Sequence, residues 1–161
     1  HLRTDDSGTF GNSLRQSVFY RIAASEPASR TFTFSSNADA AAVILAYSGV
    51  DATTPIHVSG VQVDGSGSVS VITAPSVTIT TSEALILSVF GALADTTLTT
   101  PTGTTSRAAI QSIGGVDASV RVVEAPATAP GATVARTATS GRQAQNVGTT
   151  IALAPALTAA W

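Results

Sequence analysis

The chain has 161 residues and a net charge of −2, and only 11% of its residues are charged, against about 25% in an ordinary soluble domain. Every basic side chain is Arg and there is no Cys, which excludes disulfides, iron–sulfur clusters and zinc–thiolate sites. The near-neutral balance offers no electrostatic footprint for nucleic acid, and the absence of a run of about 18 apolar residues excludes a membrane-spanning helix.

The length fits one domain, residues 1–155, followed by an apolar extension over 156–161. With no Met, the sequence reads as a processed or excised portion of a longer product. Short runs of Val, Ile, Thr and Phe are broken every eight to twelve residues by Gly, Pro, Asp, Asn and Ser, the pattern of an all-β domain. The first strand is expected over 14–23, where Val18, Tyr20 and Ile22 share a face, and Glu26-Pro27 ends it. The next covers 30–34, with Phe32 and Phe34 inward and Thr31 and Thr33 outward. Residues 41–48 are apolar on both faces, which predicts a central strand, and Ser48-Gly49-Val50-Asp51 turns it.

From Ile56 to Val63 the apolar phase shifts, and a bulge is expected at Ser59-Gly60. Asp64-Gly65 is a turn. Strands follow over 69–72, 76–80, 84–93 (a second buried strand), 97–100, 104–113, 116–125, 132–139 and 147–153. No segment of ten residues or more keeps a 3.6-residue period. About ten strands in one domain predict two packed antiparallel sheets, an all-β, jelly-roll-like sandwich.

The stretches Leu14-Arg-Gln-Ser-Val-Phe-Tyr-Arg-Ile-Ala23, Glu26-Pro27-Ala28-Ser29, Thr31-Phe-Thr-Phe34, Ala46-Tyr-Ser-Gly-Val-Asp51, Thr73-Ala-Pro-Ser-Val77 and 147–155 together resemble a β-sandwich module of secreted, cell-surface and phage tail-associated bacterial proteins. The resemblance implies a structural or adhesive role outside the cytoplasm, with no catalytic residues to carry over. In that family the region of Leu2-Arg3 follows a Pro-x-Gly-Trp segment and two or three earlier strands, which this sequence lacks. The sandwich is therefore expected to be incomplete at its N-terminal edge, with an open edge that invites a strand from another chain. Ala156, Leu157 and Trp161, in the apolar extension, are the expected partner-binding residues, and the His1 end is the other segment expected to cross to a neighbour.

Sites for chemistry are sparse. His1 offers an amine and an imidazole, and with His57 it is the layout of a copper-dependent polysaccharide monooxygenase; His57 read as an exposed strand residue is the plainer account. No Gly-x-Ser-x-Gly elbow occurs, and Glu26, Glu83 and Glu124 are isolated rather than paired across a cleft. For calcium, Asp5 and Asp6 on an expected loop are the leading candidates, with Asp51, Asp64 and Asp95 behind them, although Asp-rich turns form without any metal. Carbohydrate binding calls for exposed aromatic rings, whereas Tyr20 and Tyr47 are expected to pack inward. The expectation is thus a non-catalytic subunit of a surface filament or virion, a homo-oligomer or polymer without a required cofactor, without a nucleic-acid partner and without membrane insertion. The alternative is a glycan-binding or adhesive module of a larger secreted protein.

Overall fold

The computed structural model describes residues 1–8, 13–34, 37–112 and 118–156. Among these there is no helix, and eleven strands form one five-stranded sheet and three two-stranded ones, all antiparallel. The strands are β1 (Arg3–Asp6), β2 (Arg15–Val18), β3 (Ile56–Asp64), β4 (Val71–Ala74), β5 (Thr78–Ile79), β6 (Ala84–Ala92), β7 (Thr105–Gln111), β8 (Ser119–Ala127), β9 (Gly131–Ala132), β10 (Arg136–Thr139) and β11 (Asn146–Leu153). The main sheet runs β3-β11-β6-β8-β7. The all-β sandwich expected from turn spacing and alternation is what forms.

Burial divides the main sheet into two faces. On one, Phe90 and Ala92 of β6 and Val123 of β8 meet Ile72 and Ala74 of β4 and Ala138 of β10, with Leu98 closing the cluster. Beside it, Ile79 of β5 packs on Ala84, Ile86 and Ala152, with Val58 at the margin. The pairs β4-β10 and β5-β9 thus form the second layer. On the opposite face, Leu87, Ile151 and Leu153 are covered by Leu2 and Val18 of the β1-β2 hairpin and by Tyr47, Val50 and Ile56.

The hairpin is anchored through polar groups as well. The buried Ser7 hydroxyl accepts from the Leu14 amide at 2.8 Å and donates to Gln145 Oε1 at 2.7 Å. Gln16 Nε2, also buried, donates to Thr149 Oγ1 of β11 at 2.8 Å. Thr149→Val would leave that amide buried and unpaired, a loss of about 1–3 kcal/mol. Urea denaturation should show the midpoint falling with an unchanged slope.

Several expectations are corrected. Residues 41–48 are not the central strand. That position, between β3 and β6, belongs to β11, whose eight residues are all buried, and only one of the two apolar runs can hold it. Ile44 is 70% exposed and residues 41–48 lie outside any strand. The strand expected over 14–23 stops at Val18, and 30–34 forms none; Phe32 and Phe34, expected inward, are each 60% exposed, and Tyr20 is exposed too. The bulge falls at His57 rather than at Ser59-Gly60: Ala152 pairs with Val58 and Leu153 with Ile56, so one residue of β3 is extra. This sends Ile56 and Val58 to the two opposite clusters, the effect the apolar phase shift had signalled two residues later. In the expected 97–100 strand only an isolated Leu98–Ser140 bridge forms.

Candidate functional site

The sheet has two edges, β3 and β7. β3 lies beside β4, β5 and β1, whereas among the described residues β7 pairs with β8 alone, and nearly all of its residues are exposed. Pairing carries the apolar face across to this edge. Val89 of β6 is opposite Val122 of β8, which is opposite Ala108 of β7, and Val120 is opposite Ile110. Ile110 is 45% exposed. The β1-β2 hairpin covers the β3-β11-β6 side of this face, and the apolar strip ends at an unpaired strand carrying no Lys to guard it.

Opposite this edge in sequence stands a second exposed feature. Among the described residues eleven large hydrophobic side chains are exposed, and seven of them (Phe19, Tyr20, Ile22, Phe32, Phe34, Ile44 and Leu45) lie between 19 and 45. None of the described residues in 19–48 makes a backbone–backbone hydrogen bond to another described residue. Both ends of this arm are fixed, by β2 on one side and by the Val50–Pro155 bridge on the other. Within it, Glu26 pairs with Arg21 and with Arg30, closing a turn in which Ser25 adopts φ 52°.

Between arm and sheet lies a buried polar cluster. Glu124 of β8 pairs with Arg107 of the edge strand, and the Tyr47 hydroxyl faces the same carboxylate. The two fall short of hydrogen-bond geometry, since Tyr47 Oη and Glu124 Oε2 are both buried without a partner. The Arg107 guanidinium, and to a lesser degree the Tyr47 hydroxyl, holds the Glu124 carboxyl below its ordinary value against the opposing effect of burial. Burial, and then the neighbouring Glu124 carboxylate, pushes the Tyr47 phenol up to about 12.

The signs give two pH limits. A depressed carboxylate contributes stability above its ordinary pKa of 4.5 and loses it as pH falls through the folded value. A raised phenol contributes below 10 and loses it as pH climbs towards about 12. Glu124→Gln should flatten the acid limb of a thermal-denaturation pH profile, and Tyr47→Phe the alkaline limb. The isolation of Glu124 in the sequence concealed this cluster, because its partners are 17 residues before it along a hairpin and 77 residues away across the sheet.

Other sequence candidates have settled partners. Asp5 and Asp6 lie on β1, not on a loop, so their side chains leave opposite faces of the strand. Asp5 takes a bidentate pair from Arg3 at 2.6 and 2.9 Å. Asp6 pairs with Arg15 at 3.0 Å and accepts from the Gly8 amide at 3.1 Å; that amide, then Arg15, holds its carboxyl below the usual range. Asp51 caps the turn after Gly49 through the Thr53 and Thr54 amides, Asp64 accepts from the Ser66 amide, and Asp95 accepts from Gln111.

The His1 ring contacts Thr4 Oγ1 at 2.8 Å and lies 5.1 Å from the Phe19 ring. The Thr80 amide donates to His57 Nε2 at 3.0 Å. No group of three or more His, Asp or Glu side chains suited to a metal occurs among the described residues. Ala156 donates its amide to Gly49 O at 2.8 Å and is exposed; Leu157 and Trp161 lie outside the described residues. The His1 end is held in the β1-β2 pair, with the Leu2 amide on Val18 O. Comparison with protein-family models, curated proteins and solved structures finds no match to this chain.

Proposed function

We propose that the chain is a non-catalytic structural protein that assembles outside the cytoplasm through inter-subunit strand pairing and burial of apolar sheet edge, as a subunit of a surface filament or virion. The unpaired β7 edge, where an apolar sheet face runs out to exposed Ile110, carries this reading. A free strand edge with an apolar flank is a template for another strand. The low charge, the absence of Lys and the resemblance of 14–34 and 46–51 to a bacterial surface and tail module support it. Light scattering coupled to size exclusion tests it: the mass should exceed that of one 16.1 kDa chain and rise with concentration. A chain that stays monomeric at every concentration overturns the proposal.

The exposure of Tyr20 favours a second reading, an adhesive module that stacks sugars on aromatic rings. A monomer that binds immobilised glycans, and loses that binding in Tyr20→Ala, would establish it in place of assembly.

A further inference from the structure

We infer that the arm is an exchange segment: residues 30–34 of one copy add as a sixth strand to the free edge of β7 in a second copy. The inference rests on the assembly reading and names its contact.

The two surfaces share an alternation of larger apolar and smaller or polar side chains. Beyond Thr105, β7 presents Ala108 and Ile110 on one face, and Ser106, the small Ala109 and Gln111 on the other. Thr31-Phe32-Thr33-Phe34 has the same alternation, two aromatic rings on one side and two hydroxyls on the other. A strand with apolar residues on both sides, such as 43–46, would leave half of them beside Ser106 and Gln111. Antiparallel pairing with Phe32 opposite Ile110 and Phe34 opposite Ala108 extends the strip formed by Val89, Val120 and Val122.

The tether favours reach beyond the arm's own sheet. The described residues between 19 and 46 form no strand, and an extended chain covers roughly 3.3–3.6 Å per residue. Its turn is closed by exposed ion pairs, which hold little, around Ser25 in the left-handed region and Pro27. Opening a strained hinge of this kind into an extended linker is the usual route to exchange between identical chains.

The chain has no Cys, so engineered thiols report the contact cleanly. One preparation carries Phe34→Cys and an isotopically labelled one carries Ala108→Cys. Mixed and oxidised, they should give a disulfide-linked peptide joining position 34 of one isotope to position 108 of the other, well above the yield with Val134→Cys, an exposed control remote in sequence. In a single chain carrying both thiols, a link that forms only within the chain means that the arm folds back on its own sheet, and it overturns the inference.

The double variant Phe32→Asp/Phe34→Asp alters only exposed side chains, so its circular dichroism should be unchanged. Its assembly midpoint should move at least about tenfold higher in concentration, equivalent to about 1.4 kcal/mol. An unchanged midpoint overturns the exchange contact and leaves assembly standing. A native chain that never assembles overturns both.

Discussion

Gly148→Ala should destabilise the protein by about 3 kcal/mol or more, at or above the upper end of overpacking losses. Gly148 is in β11 and faces the second layer, directly beneath β4. A Cβ there would fall on the carbonyl carbon and oxygen of Thr73 and within 2.7 Å of the Ala74 nitrogen. These are backbone atoms of a paired strand, so no rotamer change can clear the space. The next residue but one, Thr150, donates its buried hydroxyl to Pro75 O at 2.6 Å, holding the layers at that spacing. Gly60 is the control: its added Cβ would meet Val77 Cγ1 at 2.8 Å, a side-chain atom that can move. Chemical denaturation of the two variants should show Gly148→Ala as much the worse, or too unstable to purify folded, while Gly60→Ala retains a measurable transition.

Phe90→Ala attacks the same interface from the main sheet. Phe90 is wholly buried, surrounded by Ile72, Ala74, Ala92, Leu98, Val123 and Ala138. Three of those neighbours are Ala, which cannot swing in to fill the space; Ile72 and Val123 are fixed in paired strands and Leu98 by its bridge to Ser140. The loss should lie towards the top of the 3–5 kcal/mol range for a buried aromatic. At roughly 2–4 °C per kcal/mol for a chain of this size, Tm should fall by about 10–20 °C. Phe90→Leu, which keeps most of the volume, should recover more than half of the loss. Calorimetry of the two variants decides the matter, and a small loss in Phe90→Ala would show that the layers collapse onto each other more freely than their Ala content implies.

Some of this fold was legible in the residues. β3, β6, β7 and β11 fall where runs of β-forming residues bounded by turn residues predicted strands. Residues 41–48 and 147–153 look alike as apolar runs, and local pattern cannot say which will find partners on both sides. β1 was hidden by its charge: Asp5 and Asp6 read as a turn or a metal loop, yet they are neutralised by Arg3 and Arg15 within a hairpin. The Tyr47–Glu124–Arg107 cluster needed the sheet register, which no single segment encodes. The arm was visible as a set of strand-like pieces; its lack of a partner was not, since partnership is a property of the whole sheet.

The place of β11 has a consequence for how the molecule is made. β3 and β6 precede it in the chain, but neither bonds to the other; each bonds to β11. A nascent chain emerging from the ribosome can therefore pair β6 with β8 and β8 with β7, while β3 waits for the segment that will join it to them. Closure must bring strands together across more than 80 residues, a separation that places folding on the slow, millisecond-to-second side of the range. Until synthesis reaches Leu153, the polypeptide carries an unjoined β3 and an open flank on β6, and chaperone demand should be greatest in that interval.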